Sequence, residues 1–79
     1  MNPEELVALI RRRPFQPFRI YMTDQAHYDI YHPEMLMVGA RSAIVGTTKT
    51  PDQTLYDIPI NISLLHIVRT EPIQTATAS

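Results

Sequence analysis

A chain of 79 residues has room for one hydrophobic core, because domains divide only well above this length. The absence of cysteine excludes disulfide bonds and thiolate zinc sites, and no cofactor is expected. Seven basic and eight acidic side chains leave a net charge of −1, so no overall field attracts nucleic acid or anionic lipid. A core this small gives a single chain only marginal stability, so we expect the protein to gain stability by self-association.

The N-terminal residues carry start and stop signals for a helix. Asn2 suits the N-cap, Pro3 the first helical position, and Glu5 completes a capping box. One apolar stripe follows at helical spacing, formed by Leu6, Leu9 and Ile10. The arginines at 11–13 suit a helix C-terminus, and Pro14 is predicted to end the helix.

The same N-terminal segment argues for a cytoplasmic location. Acidic residues follow Met1, where a signal peptide would be basic. The apolar run at 6–10 is too short for a signal core or a membrane span. No membrane partner is therefore expected.

After the helix the apolar period changes to two, which is typical of strands with one buried face. Residues 18–22 alternate in this way, 24–26 read as a turn, and 27–31 read as a returning strand. The two strands form a predicted hairpin. Pro33 interrupts the ladder because it has no N–H, and an apolar run resumes at 35–38.

The second half of the chain predicts further short strands. Residues 42–46 read as a strand, and the polar stretch 47–53 reads as an exposed loop. Another strand is marked by Leu55, Ile58 and Ile60. Pro59 argues that this strand bends or lies at a sheet edge. A 3₁₀ turn is predicted within 61–65, before a strand at 66–69.

One helix followed by about five short strands predicts a mainly β fold, a small five-stranded antiparallel barrel whose closure removes exposed edges. The order of elements resembles the Sm-like and SH3-like barrels, a shape shared by many functions. The predicted domain spans 1–72, and 73–79 form a flexible polar tail.

Three segments carry a narrower resemblance. Residues 13–20 read R-P-F-x-P-F-x-I, residues 32–34 read H-P-E, and residues 64–72 read L-L-H-I-V-R-T-E-P. Together they resemble a group of short bacterial proteins. The resemblance implies a bacterial source and a recurring fold, and no activity to transfer. Such proteins usually have Asp-Gly in the first hairpin turn, whereas Gln25 follows Asp24 here.

Basic and aromatic residues form a candidate nucleic-acid site. The arginines concerned are Arg11, Arg12, Arg13, Arg19 and Arg41. If the helix end packs near the first strand, Tyr21 and Tyr31 would join them in a patch able to hold phosphate and stack bases. The alternative is that the arginines at 11–13 only complement the helix dipole, and that nearby carboxylates neutralise the positive charge of the patch. RNA is therefore the second candidate partner.

Histidines and a carboxylate form a candidate metal or acid–base site. His27, Asp29 and Tyr31 share one strand face, and His32 follows them. An imidazole and a carboxylate would then lie within about 7 Å of one another. The alternative is that these side chains are simply the solvent-exposed polar face of a half-buried strand. Because this alternative explains the pattern at least as well, we predict neither a catalytic residue nor a metal ligand.

The apolar run at 35–38 has apolar residues on both faces of one strand, which indicates either burial on both sides or contact with a second subunit. The candidate interface residues are Met35, Met37, Val38, Ile67 and Val68. The strand at 66–69 could also pair with a neighbour's edge. The sequence therefore favours a non-enzymatic interaction module that forms homo-oligomers.

Overall fold

The computed structural model describes residues 1–47 and 58–74, and in these ranges one helix precedes six strands. Helix α1 spans Pro3–Arg11. The strands are β1 (Phe18–Met22), β2 (His27–Ile30), β3 (Leu36–Val38), β4 (Ser42–Thr47), β5 (Ile58–Ser63) and β6 (Ile67–Pro72). Single 3₁₀ turns, Pro33–Met35 and Leu64–His66, precede β3 and β6. No helix in the described ranges is long and apolar enough to span a membrane.

The start of α1 confirms the predicted capping box. The Asn2 side chain accepts from the Glu5 N–H at 2.9 Å, and the Glu5 carboxylate accepts from the Asn2 N–H at 3.2 Å. Two of the N–H groups that lack helical partners are thereby satisfied. The terminal ammonium group of Met1 also donates to the Leu64 carbonyl at 3.3 Å, which ties the N-terminus to the second 3₁₀ turn.

The end of α1 comes earlier than Pro14. Arg12 already has an extended backbone, so Arg12 and Arg13 follow the helix. The residue that precedes a proline is biased toward extended backbone, and a helix usually ends before it. The Arg13 guanidinium donates to the carbonyls of Ile10 at 3.0 Å and Arg12 at 2.7 Å, so it caps the helix end.

The strands form two antiparallel sheets, ordered β2–β1–β6 and β3–β4–β5. The predicted five-stranded Sm-like or SH3-like barrel is therefore wrong, because the described residues form six strands and neither sheet closes. The physical reason lies in the two 3₁₀ turns. Each carries the chain from one sheet to the other, between β2 and β3 and between β5 and β6, and interrupts the ladder there. Pro33 reinforces the first break, since it has no N–H.

The inner faces of the two sheets and the stripe of α1 enclose one core. Its buried side chains are Leu6, Phe18, Ile20, Met22, Ile30, Leu36, Ala43, Val45, Ile62, Leu64 and Ile67. They include Phe18, Ile20, Met22 and Ile30 of the predicted first hairpin, whereas Tyr28 is only partly buried. Leu9 and Ile10 pack partly buried against the core, as the helical spacing predicted. Phe15 packs beside Phe18, with ring centroids 6.1 Å apart.

Several predicted boundaries shift in the second half of the chain. Residues 61–63 extend β5 and do not form the predicted turn, because they pair with β4 and place Ile62 in the core. β5 is an edge strand, as Pro59 indicated. Most of the predicted loop 47–53, together with Leu55, lies outside the described residues.

The segment after β6 contacts the segment that precedes β1. The Ile73 N–H donates to the Pro17 carbonyl at 2.9 Å. The Gln16 amide donates to the Ile73 carbonyl at 3.0 Å. These contacts attach Ile73 to the segment before β1. Residues 75–79 of the predicted tail lie outside the described residues.

The β1–β2 turn keeps a tight geometry without glycine. The Gln25 N–H donates to the Met22 carbonyl at 3.1 Å, and the Met22 N–H donates to the Ala26 carbonyl at 2.9 Å. Asp24 Oδ1 accepts from the Ala26 N–H at 3.0 Å. Gln25 has φ 72°, in the left-handed region that glycine usually occupies in such hairpin turns. The glutamine therefore holds a strained backbone.

Replacing Gln25 with glycine is expected to stabilise the protein. Relief of the left-handed strain, about 1–2 kcal/mol, exceeds the extra unfolded-state entropy of glycine, about 0.5–1 kcal/mol. The free energy of unfolding should rise by up to about 1 kcal/mol in urea titrations of Gln25→Gly. Gln25→Val, which places a β-branched side chain at positive φ, should be less stable than the parent. Equal stability of the three proteins would contradict the strain.

Candidate functional site

The outer face of the β2–β1–β6 sheet carries a row of alternating charges, here called the charged face. Asp29, Arg19 and Glu71 are cross-strand neighbours on β2, β1 and β6. Arg19 Nε lies 2.6 Å from Asp29 Oδ1, and Arg19 Nη2 lies 3.0 Å from Asp29 Oδ2. This two-point geometry matches the planar guanidinium to the carboxylate.

A second row on the charged face runs through His27, Tyr21 and Arg69. The Arg69 guanidinium carbon lies 4.0 Å from the Tyr21 ring centroid, and Arg69 Nε lies 2.7 Å from Glu71 Oε2. Tyr21 donates through its hydroxyl to Glu71 Oε1 at 3.4 Å, and its ring lies 6.2 Å from that of His27. The two rows thus pair two guanidinium groups with two carboxylates on one surface.

These ion pairs lower the pKa values of both carboxyl groups. The hydrogen bonds from Arg19 hold the pKa of Asp29 below its usual value, against a smaller opposing effect of burial. Arg69 likewise lowers the pKa of Glu71. A general base that works near neutral pH needs the opposite shift. The arrangement suits a structural ion pair better than proton transfer.

The predicted metal or acid–base residues lie on or near the charged face. Asp29 contacts Arg19 and also accepts from the Tyr31 hydroxyl at 3.3 Å. His27 lies beside Tyr21, and His32 is exposed just before the first 3₁₀ turn. Within residues 1–47 and 58–74, no three His, Cys, Asp or Glu side chains are grouped as metal ligands.

The five predicted nucleic-acid arginines are spread over three elements. Arg11, Arg12 and Arg13 lie at the end of α1, Arg19 on β1, and Arg41 in the turn between β3 and β4. No side-chain hydrogen bond in the described part of the chain joins these three places. Arg19 is paired with Asp29.

The outer face of the β3–β4–β5 sheet differs from the charged face in having no charged side chain among its described residues. Strand alternation and register place these residues outward: Met37, Ser42, Ile44, Gly46, Pro59, Asn61 and Ser63. This surface is called the uncharged face. Met37 is 69% exposed, and its cross-strand neighbour Ile44 is 37% exposed.

The predicted interface residues divide into two groups. Met37 and Val68 are exposed, whereas Ile67 belongs to the core and Met35 and Val38 pack partly buried against it. Val68 is 55% exposed because it lies in a β-bulge, where the β1–β6 register skips it. The interface prediction did not include Ile44, because only the β3–β4 register brings it beside Met37.

Sequence reasoning also missed a polar groove at one end of the molecule. The groove lies between the β1–β2 turn and the junction of β5 with the second 3₁₀ turn. Its polar lining residues are Thr23, Asp24, Tyr28, Asn61, Ser63 and His66. Two segments distant in sequence, 22–28 and 61–66, supply them, so no local motif signals the groove. It is called the hairpin groove.

No known family model matches the chain, and no curated protein or solved structure is significantly similar to it. The resemblance of residues 13–20 to the opening of short bacterial proteins therefore stays a prediction. These residues have structural roles in this chain. Phe18 is buried, Phe15 packs beside it, and the Pro17 carbonyl accepts from Ile73.

Acid is expected to weaken the fold through Asp29. Its pKa is lower in the folded than in the unfolded chain, where a free aspartate titrates near about 4. Its contribution to stability is therefore complete above that value and is lost as the pH falls through the folded pKa. In urea titrations from neutral to acid pH, the free energy of unfolding should fall less in Asp29→Asn than in the parent.

The more exposed pair provides the matched control for this experiment. Glu71→Gln removes a carboxylate whose partner Arg69 is exposed, so solvent screens the pair more strongly. The change in pH dependence should be smaller in this variant than in Asp29→Asn. Parallel stability curves for the parent and Asp29→Asn would contradict the role of the Arg19 ion pair.

Proposed function

We propose that this chain is a non-catalytic interaction module that assembles with copies of itself through the uncharged face. The observation that carries the proposal is the composition of that face. An antiparallel sheet with one face in the core normally presents polar side chains on the other. Here Met37 on β3 and Ile44 on the central strand β4 lie side by side, and the outward residues that the structure describes on this sheet carry no charge.

The comparison with the charged face strengthens this proposal. Both sheets have three strands and bury one face, yet one outer face carries two ion pairs and the other carries none in the described ranges. Charged side chains are depleted at the centres of protein interfaces, and methionine is enriched there. The uncharged face therefore has the composition of an interface centre.

The polar residues on the uncharged face are compatible with a contact between copies. Asn61 is the cross-strand neighbour of Ile44, and Ser42 and Ser63 form the next outward-facing pair along the two strands. The Ser42 hydroxyl on the central strand is both a donor and an acceptor, so a two-fold contact could pair it with Ser42 of the second copy. Asn61 and Ser63 on the edge strand β5 would lie at the rim of this contact. Such a contact would bury Met37 and Ile44 against the same residues of the second copy.

Self-association would also compensate for the small core. A chain of 79 residues buries a smaller fraction of its surface than a larger domain, so it gains little stability from its own packing. A contact between copies adds apolar burial at about 25 cal/mol per Å². The exposed part of Met37 provides such area without disturbing the core.

Strand-edge pairing is the weaker form of this proposal. β6 is an edge strand, but it ends at Pro72, which has no N–H to donate. The bulge at Val68 interrupts its regular register near the other end. Bulges and prolines are common protections of exposed edges against pairing. The sheet face is therefore preferred over the edge.

The other predicted functions have less support. Binding of RNA through the arginines would need a phosphate to compete with Asp29 for Arg19. A metal or acid–base site at Asp29 would have to displace the same guanidinium. The ion pair between Arg19 and Asp29 therefore opposes both RNA binding and a metal or acid–base site on the charged face.

Met37→Lys is expected to shift the protein from an oligomer to a monomer. Sedimentation velocity at micromolar concentration should find the parent as a dimer or larger species. The lysine would place like charges together at the centre of the contact, so the dissociation constant should rise at least about tenfold. The substituted side chain is exposed, so circular dichroism should show an unchanged fold.

Leu65→Lys is the matched control for this substitution. Leu65 is 87% exposed but lies in the second 3₁₀ turn, outside the uncharged face. The same charge introduced there should leave the oligomer intact. A monomeric parent at all concentrations would overturn the proposal, and equal loss of assembly in both variants would remove the uncharged face as the contact.

A further inference from the structure

The hairpin groove has a backbone framework that joins its two walls. The Thr23 N–H donates to the His66 carbonyl at 2.8 Å, across 43 residues of sequence. The hydroxyl of Thr23 also lies 3.4 Å from His66 Nδ1. The groove has a volume of about 360 Å³. Pockets for small ligands typically have about 300–1,000 Å³, so this space has room for one ring of a ligand.

Several polar groups in the groove are available to a ligand. Asp24 uses Oδ1 for the Ala26 N–H, which leaves Oδ2 as an acceptor. Within the described ranges, the side chains of Tyr28, Asn61 and Ser63 make no hydrogen bond to other protein groups. Together they offer hydroxyl donors, an amide donor and carbonyl or carboxylate acceptors in one place.

The charge of the groove limits the ligand. Among its lining residues, all within the described ranges, Asp24 alone carries a permanent charge. A phosphate or carboxylate ligand would meet this negative charge without any arginine or lysine to compensate. The floor is apolar, because Met22 and Ile62 line it and both belong to the core. A neutral ligand with an apolar side and a polar side fits these features.

We infer that the hairpin groove binds a neutral compound through one ring that carries adjacent hydroxyl groups. The carboxylate of Asp24 accepts strong hydrogen bonds from hydroxyls, and the amide of Asn61 can donate to one hydroxyl and accept from another. The ring's apolar side would lie on Met22 and Ile62. This inference concerns a second site and goes beyond self-association. Asn61 and Ser63 border both surfaces, because β5 is an edge strand.

Two compounds with this chemistry test the inference on the full ¹⁵N-labelled chain by NMR. Methyl glucoside represents a saccharide and adenosine a nucleoside, so the stronger binder identifies the source of the hydroxyls. Saturable shifts of the backbone amides of Thr23, Tyr28, Asn61, Ser63 and His66 are expected. Adenosine without its two ribose hydroxyls, 2′,3′-dideoxyadenosine, should bind at least about tenfold more weakly than adenosine.

A serine pair supplies matched variants. Ser63 lines the groove, whereas its cross-strand neighbour Ser42 does not. Asn61→Ala should raise the dissociation constant at least about tenfold, Ser63→Ala should raise it less, and Ser42→Ala should leave it unchanged. Asn61 is exposed and outside the core, so its truncation should not unfold the protein.

The outcomes that would overturn the inference are distinct from those that concern self-association. Absence of saturable shifts with both compounds at millimolar concentration would overturn it, as would equal binding of dideoxyadenosine. Binding of methylammonium in preference to both compounds would instead make the groove a cation site. Repeating the titrations with Met37→Lys separates the two proposals, because that variant should lose assembly and keep the groove.

Discussion

Leu6, Ile20 and Ile30 have no solvent exposure at all, and they belong to the one core that α1 shares with the two sheets. Burial of this interior constrains every other surface of the molecule. Strand residues alternate between faces, so once the apolar positions point inward their neighbours must point outward. A shift of one residue in any pairing would exchange core and surface. The charged and uncharged faces are therefore consequences of the same inward packing.

The two outer faces expose side chains of different polarity to water. On the charged face, Arg19 and Arg69 neutralise Asp29 and Glu71 and leave a polar surface with no net charge. Exposed ion pairs of this kind add little stability, with typical values of about 0–1 kcal/mol. They keep the surface hydrated and discourage apolar contacts. The described part of the uncharged face, with Met37 and Ile44 side by side on β3 and β4, has no such ion pairs, and in our proposal it contacts a second copy.

The 3₁₀ turns have consequences beyond the fold. By carrying the chain between sheets at Pro33–Met35 and Leu64–His66, they leave the sheets unclosed and expose the side of β5. The β1–β2 turn lies against that region through the hydrogen bond from Thr23 to His66. The hairpin groove occupies the space between them. A fully closed barrel would have paired the edge of β5, whereas this arrangement leaves room for a small ligand.

Local signals in the sequence determined α1, the first hairpin and the inward positions of its strands. Asn2, Pro3 and Glu5 act within one turn of helix, and the alternation of Phe18, Ile20 and Met22 depends only on strand geometry. The tertiary structure alone decided that the strands form two sheets, that Asp29 pairs with Arg19, and that Ile44 lies beside Met37. These features depend on register between strands, and register is selected by the packing of the whole core and not by any local run of residues.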